Sequence, residues 1–233
     1  MSQTSRKPRQ RAAAERRWPV VIAIAVALVL YVLLPSSFTP WIRYIAAGIA
    51  IVMLLPLIFL NPAQLVRETK WSRVLSLGLG ILLVVANQIA LVQLVIQLTQ
   101  ASKDSGPALL LAAVQVWVTN VIAFAVLYWE LDRGGPVARR RDDRSSLQPA
   151  DFRFPQDEDH DTIDEVRVRS SAHSDWMPGF LDYLYFSGSD SMAFSPTDAM
   201  PLSGRAKSLM LFEAFTGFVI LALVIARAVS LLG

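Results

Sequence analysis

The stretch PALLLAAVQVWVTNVIAFAVLYW, from Pro107 to Trp129, decides the fold class because it contains no charged side chain. An α-helix crosses the hydrocarbon core of a bilayer, about 30 Å thick, with about 20 predominantly apolar residues. This stretch is long enough to do so. It therefore predicts a helix that spans a membrane.

Four further apolar runs predict the same kind of structure. The first of them is short for a span, but Trp18 and Tyr31 are typical interfacial anchors and no small-residue cleavage site follows it. We therefore expect an all-α polytopic membrane protein with about five transmembrane helices. The four runs extend over Trp18–Leu34, Trp41–Leu60, Val74–Leu98 and Leu209–Leu232.

The composition agrees with this class and excludes several kinds of site. Hydrophobic residues make up 54% of the chain and charged residues only 18%, below the roughly 25% of a typical soluble domain. Cysteine is absent, which excludes disulfides and thiolate chemistry. With only His160 and His173, a histidine-built metal site is not expected. No catalytic motif stands out, so we expect neither an enzyme nor a cofactor.

The net charge of +3 comes mainly from the flanks of the apolar runs, where it indicates orientation rather than nucleic-acid binding. In chain order, lysine and arginine gather before the first apolar run, between the second and third runs, and after the fourth. The connection between the third and fourth runs has only Lys103. This bias predicts a membrane protein whose N-terminus and 130–175 segment are cytoplasmic. We also expect the basic tail to bind anionic lipids of the bilayer.

The runs divide the chain into four parts: a basic tail (1–17), a four-helix transmembrane region (18–129), a polar, flexible linker (130–175), and a hairpin with the last transmembrane helix (176–233). The linker contains the acidic run DEDHDTIDE, whose alternate aspartates begin at Asp157, as in a calcium loop. Thr162 stands where such a loop needs glycine, and Val168 where it needs glutamate. The run therefore indicates a solvated acidic segment.

Polar residues inside the predicted spans recur at helical spacing. Gln93, Gln97 and Gln100 share one face of the third run, and Gln115 and Thr119 lie one turn apart in the fourth. Because amides in lipid need partners, these residues indicate either hydrogen bonds between helices or a polar pathway between them.

The last run carries Glu213, Gly217 and Arg227 on one face, together with Ile220 and Val224. An ionisable residue inside a span is a functional hypothesis by default, and Gly217 allows close helix approach. Glu213 and Arg227 lie about 21 Å apart along the axis, too far to pair within one helix. Packing and a functional polar seam are both open, and a homo-oligomer in which each charge meets another subunit is a further alternative.

The segment before the last run resembles the two-helix pore module of potassium channels, which reads roughly FSxVTxTTVGYGDxxP. Phe186 and Ser187 match its start, and Asp198 and Pro201 follow at the same offsets as in the module. Where the module has the filter sequence TVGYG, this chain has AFSPT.

That filter cannot form in this chain. Its carbonyl rings need glycine torsions, whereas Pro196 fixes φ near −65°. Ser195, Pro196, Thr197 and Asp198 are instead expected to form a turn, which contributes to the candidate seam with Glu213, Gly217 and Arg227. The hairpin is either a short interfacial helix and turn covering the end of the bundle or a re-entrant hairpin lining a vestibule.

A second resemblance covers most of the chain. The segments that carry it are WELDRGGP (129–136), DFRFPQ (151–156), DYLYFS (182–187), AFSPTDAMPL (193–202), RAKSLM (205–210) and ARAV (226–229). In these segments the chain resembles a family of uncharacterised integral membrane proteins of bacteria, in particular actinobacteria. The resemblance implies a multi-pass protein of the bacterial plasma membrane without a known activity. We expect a structural or accessory role, and the alternative is a permeation protein that is not potassium-selective.

Overall fold

In the described part of the chain, seven α-helices make up most of the regular structure. The structure, a computed structural model, describes residues 14–35, 38–100, 106–158, 170–171, 175–193 and 199–232. Two short strands, β1 (Phe152–Arg153) and β2 (Met200–Pro201), pair antiparallel. The helices are α1 (Trp18–Val32), α2 (Pro40–Leu60), α3 (Lys70–Gln100), α4 (Gly106–Leu131), α5 (Pro136–Arg141), α6 (Phe180–Ala193) and α7 (Gly204–Leu232).

Four of these helices, α2, α3, α4 and α7, are long and apolar enough to cross a membrane. The prediction of a helical membrane protein is confirmed at this level. Helix α1 has only 15 residues, about 22 Å at 1.5 Å per residue, which is less than the hydrocarbon core of about 30 Å. The predicted five spans therefore exceed the four that length and composition support.

Helix α4 lies at the centre of the bundle. Of its most apolar 18-residue window, 72% is buried, against 22% for α2. It contacts α1, α3, α6 and α7. Ala112 and Ala113 are fully buried, and such small side chains let neighbouring helices approach closely. The apolar run that decides the fold class is therefore also the helix around which the others pack.

Most of the described arginines gather at one end of the bundle, which we call the arginine-rich end. The starts of α1, α3 and α7 lie there beside the ends of α2 and α4, so these five helices alternate in direction. Three contacts define this end: the Arg17 amide with the Ala63 carbonyl (3.1 Å), Arg73 with Glu130 (2.8 Å), and Arg205 with the Leu131 carbonyl (3.3 Å).

The described residues directly after α4, 132–158, are folded onto the arginine-rich end, whereas a flexible linker was predicted over 130–175; for the rest of that range the linker stays a prediction. Asp132, Arg139 and Phe152 are all almost completely buried. At Gly135, where φ is +97°, a Cβ atom would overlap the Arg73 guanidinium at 1.9 Å, so this turn requires glycine. The polar side chains pair with one another, which lets the aromatic rings between them be buried. Residues 159–169 and 172–174, with most of the acidic run and both histidines, lie outside the described residues.

Helix α6 runs from the arginine-rich end along α4 in the opposite direction. The ring of Phe180 packs edge-on against Trp129, with 5.9 Å between centroids. Ser187 donates a hydrogen bond to the Val121 carbonyl (2.8 Å), eight residues or about 12 Å further along α4. By Met200, in β2, the chain is back beside β1. Helix α6 is thus inserted between α4 and α7, rather than lying across the end of the bundle.

Candidate functional site

A carboxyl group lies buried where α4, α6 and α7 meet. Glu213 of α7 is 0% exposed. Its Oε2 accepts a hydrogen bond from the hydroxyl of Tyr128 in α4 (2.6 Å). Its Oε1 forms a hydrogen bond with Ser187 of α6 and a longer one, of 3.4 Å, with Ser191. Helices α4 and α6 therefore supply hydroxyl groups to a single carboxyl group that α7 carries inside the bundle.

The spacing of residues along α6 explains why this helix reaches Glu213. Tyr183, Ser187 and Ser191 follow one another at intervals of four residues, so they share one face. All three are buried, whereas Leu181, on another face, is 65% exposed. The buried face of α6 therefore presents hydroxyl groups to its neighbours.

Gly217 lies one turn after Glu213 and allows the close contact between α6 and α7. A Cβ atom at this position would lie 2.6 Å from the carbonyl oxygen of Ser191, which is closer than real Cβ contacts allow. The neighbour is backbone and cannot turn away. Glycine is therefore required here by close helix packing.

A second carboxyl group, that of Asp190, lies near Glu213. It is 3% exposed, and its Oδ2 has no hydrogen-bond partner among the described residues. It is close enough to interact electrostatically with both Glu213 and Tyr128. Within the described part of the chain, no lysine or arginine forms an ion pair with either carboxyl group. Two acids are thus buried together without a described cation.

Amide and hydroxyl side chains of α3, α4 and α7 form further hydrogen bonds inside the bundle. Thr216 donates a hydrogen bond to Gln88 (3.4 Å), and Gln88 donates one to Asn120 (3.2 Å). Asn87 donates one to Thr119 (2.7 Å). We call the whole set the buried polar cluster: Asn87, Gln88, Gln115, Thr119, Asn120, Tyr128, Ser187, Asp190, Ser191, Glu213 and Thr216.

Four side-chain atoms of the buried polar cluster lack a hydrogen-bond partner in the described part of the chain. They are Oδ1 of Asn87, Oε1 of Gln115, Nδ2 of Asn120 and Oδ2 of Asp190. Unpaired buried polar atoms are uncommon in folded proteins because each costs about 1–3 kcal/mol. Five further nitrogen atoms without a described hydrogen-bond partner lie at the arginine-rich end, on Arg17, Arg133, Arg139 and Arg140. The buried polar cluster is the candidate functional site because its unpaired atoms lie within the apolar helices.

A separate network fastens the hairpin at the arginine-rich end. Asp132 accepts hydrogen bonds from the backbone of Asp151 (2.7 Å) and from the Tyr183 hydroxyl (2.5 Å). Arg139 donates to the carbonyls of Trp129 (2.7 Å) and Asp132 (2.9 Å), which caps the end of α4. Its guanidinium lies 5.1 Å from the ring centre of Tyr183. These contacts hold the start of α6, and the hydrogen bonds of Ser187 and Ser191 with Glu213 hold its later turns.

Burial also changes the ionisation of groups at the arginine-rich end. Burial lowers the pKa of the Arg140 guanidinium, an effect that the carboxylate of Glu15 opposes. Burial raises the pKa of the Glu68 carboxyl group, and Arg73 opposes that shift. Arg140 donates a hydrogen bond to the Met177 carbonyl (2.9 Å), so its charge is used to hold the chain that leads into α6.

The predicted site residues have different positions in the structure. Glu213 and Gly217 both contact α6. Arg227 lies about 21 Å further along α7 and is not part of the buried polar cluster. Ser195, Pro196, Thr197 and Asp198 lie outside the described residues.

Sequence reasoning missed Tyr128, Ser187, Asp190 and Ser191 as members of the site. The four-residue spacing from Tyr183 to Ser191 was a usable signal, because it places hydroxyl groups on one helical face. Among the described residues, no group of three histidine, cysteine, aspartate or glutamate side chains is placed to hold a metal ion. The side chains of the buried polar cluster can donate and accept hydrogen bonds, and its carboxyl groups can bind and release protons.

No protein-family model matches the chain, and no match was found among curated proteins or among solved structures. The proposals below therefore rest on the geometry of this chain. Three of the segments that carry the second resemblance, WELDRGGP, DFRFPQ and DYLYFS, meet at the arginine-rich end through Asp132, Phe152 and Tyr183.

Proposed function

We propose that the protein crosses the membrane five times, with α1 as the first span. At one end of α1, Arg17 contacts the connection between α2 and α3. Beyond its other end, the amide of Thr39 donates a hydrogen bond to Gln93 of α3 (3.1 Å). Arg73 and Gln93 are 20 residues apart in α3, or about 30 Å, which is the thickness of the hydrocarbon core. The level of Arg73 and the contact at Gln93 are thus separated along α3 by the thickness of a bilayer, which supports α1 as a further span.

We also propose that α6 is a re-entrant helix that enters from the arginine-rich end and that this end faces the cytoplasm. The arginine bias supports the orientation. The hydrogen bond from Ser187 to Val121 supports the insertion, because Val121 belongs to the middle of an apolar span. Backbone at such depth is tolerated where protein surrounds it, and α4 and α7 flank α6.

The role that this geometry supports best is structural or accessory. In a channel pore module the loop before the last helix lines a conduction path. In this chain the corresponding helix has its hydroxyl face against Glu213 and its backbone against Gly217. The observation that carries the proposal is this contact at Gly217, because the backbones of α6 and α7 touch there. The cavity of about 280 Å³ beside it is lined mainly by apolar side chains, such as Trp117, Ile220 and Val224, which offer no ligands to an ion.

Flux measurements on liposomes containing the purified full chain test this role. The expected result is that potassium and sodium flux do not exceed those of protein-free liposomes, while an added ionophore confirms that the liposomes are sealed. Conduction of either ion well above the protein-free level would overturn a purely structural role, and a preference for potassium would also contradict the exclusion of a selective filter.

A second candidate function is permeation of a proton or a small cation. The four unpaired atoms of the buried polar cluster favour it, because intramembrane polar groups without partners mark ion pathways. The same liposomes test it through a pH-sensitive or sodium-sensitive dye. Proton or sodium flux that is lost in Glu213→Gln would support permeation, and flux equal to that of protein-free liposomes would contradict it.

A further inference from the structure

We infer that Glu213 carries a bound proton in the folded protein, which makes the buried polar cluster a proton-binding site between α4, α6 and α7. The ligand is a proton, and the group that binds it is a neutral carboxylic acid. The inference is independent of both proposed functions, because a proton can be held at this site whether or not any ion crosses the membrane.

The number of hydrogen atoms available to Ser187 carries the inference. Its hydroxyl has one proton but lies within hydrogen-bond distance of two oxygens, the Val121 carbonyl (2.8 Å) and Oε1 of Glu213. If Glu213 is ionised, Ser187 donates to the carboxylate, and its oxygen then faces the Val121 oxygen without a proton between them. If Glu213 is protonated, it donates to Ser187, and Ser187 donates to Val121. Only the neutral acid satisfies both contacts.

The other oxygen of Glu213 fits the same arrangement. The Tyr128 hydroxyl donates to Oε2 (2.6 Å), which is the carbonyl oxygen of the neutral acid. One continuous chain of hydrogen bonds then runs from Tyr128 through Glu213 and Ser187 to the backbone of Val121. Each donor in this chain has one acceptor, which is the condition for a fully satisfied buried network.

The charges around Glu213 also oppose an ionised carboxylate. The titratable or charged groups that face it are Tyr128 from α4 and Asp190 from α6, while α3 presents the neutral amide of Gln88. A buried carboxylate needs a nearby cation to offset its desolvation, and none of the described lysines or arginines pairs with it.

Asp190 is the second observation that points to a proton ligand. It is buried, it faces Glu213, and its Oδ2 has no partner among the described residues. A second buried carboxyl group without a described cation disfavours a negative charge on Glu213 beside it, so the proton is retained. Release of that proton would place a negative charge beside Asp190 and would leave the oxygens of Ser187 and Val121 in contact without a proton between them.

Infrared spectroscopy of the full chain in bilayers at neutral pH tests the inference. Glu213→Gln is expected to remove a carbonyl band of a protonated carboxyl group, one that shifts when H₂O is replaced by D₂O. The control is Glu68→Gln, since Glu68 forms an ion pair with Arg73 (3.6 Å) and its replacement should remove carboxylate bands. Loss of carboxylate bands in Glu213→Gln, with no loss of a protonated band, would overturn the inference.

A second measurement keeps the inference testable if Glu213→Gln does not fold. Glutamate labelled with ¹³C in its carboxyl group is incorporated into the unaltered chain and into Tyr128→Phe. A labelled protonated band whose frequency changes in Tyr128→Phe is the expected result, because Tyr128 donates to that carbonyl oxygen. If no labelled protonated band exists, or if it is unchanged in Tyr128→Phe, Glu213 is not the proton carrier.

Discussion

The hydroxyl of Tyr128 donates a hydrogen bond of 2.6 Å to Glu213, although 85 positions separate the two residues. Tyr128 belongs to the central helix α4, and Glu213 to the helix that follows the hairpin. Helix α6 packs against both, because Phe186 lies 5.5 Å from the Tyr128 ring and Ser187 contacts the Glu213 carboxyl group. Tyr128 and Glu213 together therefore form the surface against which the inserted helix α6 packs.

Replacing Tyr128 by phenylalanine should destabilise the protein, because it removes the donor to a buried carboxyl oxygen and leaves the ring packing unchanged. The expected cost is about 1–3 kcal/mol. At roughly 2–4 °C per kcal/mol for a chain of this size, thermal unfolding in detergent should show the change. Tyr185→Phe is the control, since Tyr185 is 60% exposed on another face of α6. Equal melting temperatures for the two variants would contradict a stabilising hydrogen bond between Tyr128 and Glu213.

Replacing Gly217 by alanine should separate α6 from α7, because the new methyl group would meet the Ser191 carbonyl oxygen at 2.6 Å. Overpacking of this kind costs about 1–3 kcal/mol. Gly48→Ala is the matched control. Gly48 is also helical, but nothing lies within 4 Å of its added Cβ atom, so the helix propensity of alanine should leave it neutral or slightly stabilising. If Gly217→Ala melts no lower than Gly48→Ala, the close contact is absent.

Replacing Arg139 by methionine should loosen the arginine-rich end. The substitution keeps the aliphatic packing but leaves the carbonyls of Trp129 and Asp132 without their charged donor. Hydrogen bonds to charged groups contribute about 1.5–3 kcal/mol, so a loss of that order is expected. Arg141→Met serves for comparison, because Arg141 is 54% exposed and its ion-pair partner among the described residues is the neighbouring Asp142 at the surface. A larger effect at Arg141 than at Arg139 would rule out the cap.

The orientation can be read by labelling single cysteines, since the natural chain contains none. With five spans and a cytoplasmic arginine-rich end, Ser146→Cys should react with a membrane-impermeant thiol reagent only after the cells are permeabilised. A cysteine appended after Gly233 should react in intact cells. The reverse pattern would place the hairpin on the outer side. Reaction of both only after permeabilisation would mean that α7 does not span.

The membrane class could be predicted because long uncharged apolar runs are stable in few surroundings other than the hydrocarbon core of a bilayer. The burial of Glu213, Gly217 and Ile220 also follows the predicted stripe on α7, whereas Val224 and Arg227 further along are only half-buried. Helical spacing identifies a face, but it does not identify the neighbour. Nothing in the sequence near Glu213 indicates that its partners are Tyr128 and Ser187.

The folded segment after α4 was not predictable from its composition. Asp132, Arg133 and Arg139 have the polar character of a solvated linker, but each is buried against a partner distant in sequence. Arg133, for example, bonds to the Phe152 carbonyl (3.2 Å) and to Asp157 (2.5 Å). A charged residue is predicted to be exposed unless its partners are known, and these partners come together only when the segment folds back on α4.

The depth of α6 in the bilayer tests most directly the claim that it is a re-entrant helix. Leu181 and Met192 are 65% and 59% exposed and lie about 16 Å apart along the helix. Spin labels at Leu181→Cys and Met192→Cys in the otherwise unaltered chain, reconstituted in bilayers, report depth through their relative accessibility to oxygen and to a water-soluble nickel complex. A re-entrant α6 places the label at Met192 deep in the hydrocarbon and the label at Leu181 near the headgroups. Equal, shallow depths at both positions would contradict it.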